Sequence, residues 1–144
     1  MKIYLASSWR NEHYYPMLKW LREKSQSVYD FRSANSAFSW EQVDPQYKMA
    51  TVESYLANID HELCEKAFSN DMNALMNCDA LVLLMPCGRS AHWGAGYAAG
   101  ANKPTAIFLN SDKFEPDLMH KGANLITNSL DKLESWLVFT EQRL

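Results

Sequence analysis

The stretch from Asp79 to Leu109, DALVLLMPCGRSAHWGAGYAAGANKPTAIFL, constrains the chain more than any other. It holds an apolar run (Ala80 to Met85), a turn (Pro86 to Ser90), a small-residue segment of helical length (Ala91 to Ala101), and a second apolar run after Pro104. Two unbroken apolar runs around a helix are the mark of a parallel sheet covered on both faces, because such strands lose the alternation of inward and outward residues. A β-α-β unit is expected here.

Its first strand-to-helix turn is the natural place for a ligand. Open α/β sheets bind at the carboxyl ends of their strands, and free amides at a helix start attract anions. Ser90 is expected to cap the helix, Gly88 to allow close backbone approach, and Arg89 to add a cation. A capping serine beside a solvated arginine is the plainer alternative.

A chain of 144 residues fits one domain, spanning residues 1–144. The net charge of -3, with acids and bases interspersed, gives no basic patch for a nucleic-acid polymer. The opening MKIYLASSW is too short in apolar residues for a signal peptide, and no run suits a membrane span. Cys64, Cys78 and Cys87 are irregularly spaced, so reduced, buried thiols in a cytoplasmic protein are expected. The histidines and acids show no metal-ligand spacing, and no cofactor is expected.

Taken in order, Lys2 to Ala6 reads as a strand entering a turn at Ser7 to Asn11, with Tyr14, Met17, Leu18 and Leu21 at helical spacing behind it. Ser27 to Phe31 is the next strand. Arg32 to Tyr47 is a long irregular connection of the kind that forms functional loops, and its Phe38, Trp40 and Tyr47 could cover a planar ligand or pack on the core. Thr51 to Ala57 suits a short helix. Asp60 to Asn77 suits a longer one, with Leu63, Ala67, Asn70 and Ala74 on one side and Phe68, Met72, Leu75 and Met76 nearby. Asp71 stands among apolar neighbours on that helix, where a carboxylate needs a reason. A short helical turn at Pro116 to His120, an edge strand at Asn124 to Thr127 and a final helix capped by Ser129 complete the chain. The order predicts an α/β, flavodoxin-like three-layer αβα sandwich, doubly wound, with a mostly parallel sheet of about five strands.

IYLASSW at the start, Phe68-Ser69-Asn70-Asp71, the strand ending at Pro86, and Ala95-Gly96-Tyr97-Ala98 followed by Gly100 and Lys103-Pro104 together resemble the nucleoside 2-deoxyribosyltransferase family, including its nucleotide N-glycosidase relatives. The resemblance implies cleavage or transfer at the N-glycosidic bond of a nucleoside or its 5'-monophosphate. In such enzymes a Glu two residues before the Gly-Tyr pair attacks the anomeric carbon, as in retaining glycosidases. It further implies that Asp71 positions sugar and base, and that Tyr4, Ser7, Arg10, Gly88, Arg89, Ser90 and His92 surround the substrate. Asp117-Leu118-Met119 resembles a loop that reaches a neighbouring subunit's site, so Met119 is a substrate contact and a homodimer or higher homo-oligomer is implied.

Counting back from Gly96-Tyr97, the nucleophile position is Gly94, which has no side chain. Three readings follow: a nucleotide-binding protein or sensor without turnover, altered hydrolysis in which Asp71 or another acid activates water directly, or an introduced substitution. A flavodoxin-like protein for some other phosphorylated ligand is a further alternative.

Overall fold

The computed structural model describes residues 1–144. Five strands form one sheet: β1 (Lys2–Ala6), β2 (Ser27–Tyr29), β3 (Ala80–Met85), β4 (Thr105–Leu109) and β5 (Leu125–Thr127). Every pairing is parallel and the spatial order is β2-β1-β3-β4-β5. This is the flavodoxin-like doubly wound order, with its switch point between β1 and β3. All six residues of β3 are buried, as its unbroken apolar run requires.

Helices α1 (Tyr14–Lys24) and α5 (Leu130–Glu141) cover one face, α3 (Glu62–Asn77) and α4 (Arg89–Gly100) the other. Tyr14, Leu18 and Leu21 of α1 pack with Leu133 and Leu137 of α5 against Ile3, Leu5, Val82 and Leu84. Opposite them, Ala91, Ala95 and Ala98 of α4 rest on Leu81, Leu83 and Ile107, small side chains that let the helix lie close to the sheet. The remaining helix, α2 (Val52–Asn58), follows two short 3₁₀ turns in the long connection after β2. Lys103 donates from Nζ to the carbonyls of Met76 and Cys78, at 3.0 and 2.7 Å, and so fastens the end of α3.

Three local expectations are corrected. Ser90 is not the cap of α4: Gly88 is the N-cap and the helix already begins at Arg89, so no side chain occupies the first amides. Only Cys64 and Leu75 are buried on α3, while Phe68 and Met76 stand 62% and 50% exposed, so the helix meets the rest of the chain along a narrow stripe rather than a broad apolar face. Cys87 is half-buried rather than buried, although all three cysteines are free as expected. Ser129 does cap α5, its side chain accepting from Lys132 N. No helix is long and apolar enough to cross a membrane.

Candidate functional site

The turn after β1 is bolted to the end of β3. Ser7 Oγ donates to Leu84 O at 2.9 Å, and the buried Asn11 donates from Nδ2 to Pro86 O at 3.2 Å while its Oδ1 accepts from His13 N at 2.9 Å. Arg32, just after β2, donates from Nη2 to Ser8 O and Asn11 O and lies 4.1 Å over the Tyr14 ring. These bonds satisfy buried carbonyls where strands give way to loops, so the turn holds one shape.

Between this turn, the middle of α3 and the start of α4 lies a cleft of about 490 Å³. It brings together Tyr4, Ser7, Arg10, Asp71, Gly88, Arg89 and Ser90, seven of the residues singled out from the sequence. The long connection after β2 supplies another wall through Ser36, Phe38 and Trp40, with the Phe38 and Trp40 rings edge to face at 5.4 Å. Neither Arg10 nor Arg89 belongs to any of the chain's three ion pairs.

Asp71 is the cleft's one carboxylate. Its Oδ1 accepts from Tyr29 Oη at 2.8 Å, and the Tyr29 ring stacks on Tyr4 at 5.0 Å between centroids. The β1–β2 register explains the stack, because Tyr4 and Tyr29 are paired neighbours. Burial raises the Asp71 carboxyl above its ordinary range, and the Tyr29 hydroxyl partly opposes that rise. Burial, followed by the nearby Asp71 charge, also pushes the Tyr4 phenol upward.

Gly94 does not line the cleft. It is buried one turn beyond Ser90, and a Cβ added there would lie 3.7 Å from Leu75 Cδ1, an ordinary contact. His92 and Met119 lie elsewhere too, in a larger hollow of about 720 Å³ between α4, β4 and the 3₁₀ turn Leu118–Gly122. There His92 Nε2 and His120 Nε2 are 3.0 Å apart, and His92 Nδ1 is 2.8 Å from Gly88 O. A carbonyl only accepts, so Nδ1 of His92 carries the hydrogen that meets Gly88 O. Asp117 Oδ1 accepts from Met119 N at 2.7 Å. Burial lifts the neighbouring Cys87 thiol to about 12, leaving it protonated at neutral pH.

Sequence reasoning passed over Tyr29, Arg32, Asn11 and Ser36. Tyr29 had a signal, a tyrosine ending a strand, yet its partner is visible only once β1 and β2 are paired.

No protein-family model matches the chain. It is 31% identical over 109 residues to protein YeeZ of Escherichia coli strain K12, and equally to that of strain O157:H7, an overlap covering 62% of this chain. The chain spans about two fifths (39%) of the length of those relatives. Among solved structures, a 2-deoxyribosyltransferase from Bacillus psychrosaccharolyticus superposes with a TM-score of 0.60 at 19% identity, covering 93% of this chain and 90% of that one. The CMP N-glycosidase BcmB of Clostridium botulinum does so with a TM-score of 0.51 at 16% identity, covering 96% and 99%. The doubly wound fold of this chain, with its cleft at the β1–β3 switch point, is therefore the fold of a 2-deoxyribosyltransferase and of an N-glycosidase.

Proposed function

We propose that the cleft binds a nucleoside or its 5'-monophosphate and that the protein cleaves the N-glycosidic bond. The observation that carries this reading is the convergence on Asp71: one half-buried carboxylate faces a hollow whose other end offers Arg10, Arg89 and the uncapped amides of α4. A sugar between those ends would place a 5'-phosphate against the amides and arginines. The shared fold with a 2-deoxyribosyltransferase and a CMP N-glycosidase supports the same ligand class.

Gly94 removes the carboxylate that a double displacement needs, so the reaction we propose is a single displacement. Asp71 takes a proton from water, the water oxygen bonds to the anomeric carbon, and the bond to the base breaks with its electron pair leaving on the base, which takes a proton from solvent. No second carboxylate lines the cleft to form a glycosyl-enzyme. A second reading, a nucleotide-binding protein without turnover, is favoured by the same missing side chain at Gly94.

We further propose a cytoplasmic homo-oligomer. Leu118 and Met119, 78% and 80% exposed, are the residues we place against another copy's cleft.

Incubation with deoxynucleosides and their monophosphates, followed by chromatography of free base, tests these readings. We expect base release that falls at least about 100-fold in Asp71→Ala. Tight binding with no release would select the binding protein. A chain that neither binds nor releases base has some other ligand, and stabilisation by flavin in a thermal-shift screen would name one.

A further inference from the structure

The two oxygens of Asp71 are not equivalent. Oδ1 accepts the Tyr29 hydroxyl at 2.8 Å, whereas Oδ2 has no protein partner. Oδ2 is also not among the buried side-chain atoms left without a partner, which are only Arg32 Nε and Asn110 Oδ1. Oδ2 is therefore the oxygen left free of the protein and open to solvent on a residue that lines the cleft. Tyr29 itself is absent from the cleft lining and stacks on Tyr4, which does line it.

We infer that Tyr29 is a positioning residue: its hydroxyl pins Asp71 Oδ1 and so confines proton uptake and release to Oδ2, the oxygen facing the ligand. A phenol has one proton to donate, and donating it to Oδ1 disfavours a second proton on that oxygen. A protonated Asp71 therefore presents its O–H to the cleft, and an ionised one presents its bare oxygen to water. Tyr29 remains a donor throughout the working range, since burial first, and its bond to Asp71 in addition, push its hydroxyl up to about 12 against the opposing Ser36. The other titratable or charged groups around Asp71 are Tyr4 from β1, Arg10 from the first turn, Arg89 from α4, and Cys78 behind Tyr4. None of them donates a hydrogen bond to Asp71.

The inference rests on Asp71 being the working group proposed above, but its first readout does not depend on turnover. In the 144-residue chain labelled with ¹³C at the aspartate carboxyls, the Asp71 signal is assigned by its loss in Asp71→Asn and then titrated. Tyr29→Phe removes the donor that favours the ionised form, so the midpoint should rise by about one pH unit. Incorporating 3-fluorotyrosine, whose phenol is a stronger donor, should lower the midpoint and needs no substitution that could impair folding. An unchanged or lowered midpoint in folded Tyr29→Phe, or no downward shift with fluorotyrosine, overturns the inference. The acid limb of base release should move with the Tyr29→Phe midpoint. A shifted midpoint in a protein that binds no nucleotide supports the Tyr29–Asp71 pairing while removing the proposed reaction.

Discussion

Helix α4 divides two hollows of opposite character. Beside its start, the Asp71 cleft of about 490 Å³ collects a half-buried carboxylate, two arginines free of ion pairs and a run of helix amides. Along its flank the second hollow is larger, about 720 Å³, yet its two histidines and its one carboxylate are engaged within the chain: His92 with His120 and Gly88, Asp117 with Met119. Volume marks where the fold leaves part of the sheet beside β4 without a covering helix. Polar groups with no partner inside the chain instead gather where strand ends and a helix start meet.

The largest effect that can break this contrast comes from restoring a side chain at Gly94. A Cβ there meets Leu75 at ordinary van der Waals distance, so the backbone accepts the first carbon of a side chain, and Gly94→Glu also removes a glycine from a helix interior. We expect base release to rise by about a thousandfold, since loss of a covalent nucleophile costs at least that much. A variant that folds and binds nucleotide with unchanged turnover would show that this part of α4 does not serve the cleft.

A smaller effect separates the two sides of α4. Arg89→Ala should weaken a nucleoside monophosphate about tenfold relative to its nucleoside, as calorimetry would show. His92→Ala should leave that ratio unchanged, because its ring is occupied on the far flank. Equal losses of phosphate preference in both variants would erase the distinction between the hollows.

The smallest effect is on stability. Burial holds the folded Asp71 carboxyl above its ordinary value of 3.8, so folding favours the neutral acid. That contribution is fully present below the unfolded pKa and is lost as pH rises through the folded one. Asp71→Asn is neutral at every pH and keeps an acceptor for Tyr29. We therefore expect its Tm to exceed that of the parent by about 2 °C at pH 8 and to match it near pH 3. A Tm gain that grew on acidification would contradict the assigned burial of this group.

Much of the fold was legible in the residues because burial is written into composition. Ala80 to Met85 is apolar throughout because both faces of β3 are covered, and Tyr14, Met17, Leu18 and Leu21 repeat at helical spacing because one stripe of α1 meets the sheet. Seven of the residues read as site candidates share one cleft, since strand ends and helix starts in this order have few places to go. The partners of those residues were not legible. Tyr29 meets Asp71 across 42 positions, and Arg32 meets the carbonyl of Ser8 across 24.

The sequence by itself determined the layering, the strand count and the absence of a side chain at position 94. Local hydrophobic period and residue identity carry that information without reference to distant parts of the chain. Only the tertiary structure decided which oxygen of Asp71 is held, which flank of α4 takes His92, and where Gly94 points. Each of these depends on strand register and on the rotation of a helix about its axis, and a small turn of a helix moves a side chain from one hollow to the other without altering the pattern that made it a helix.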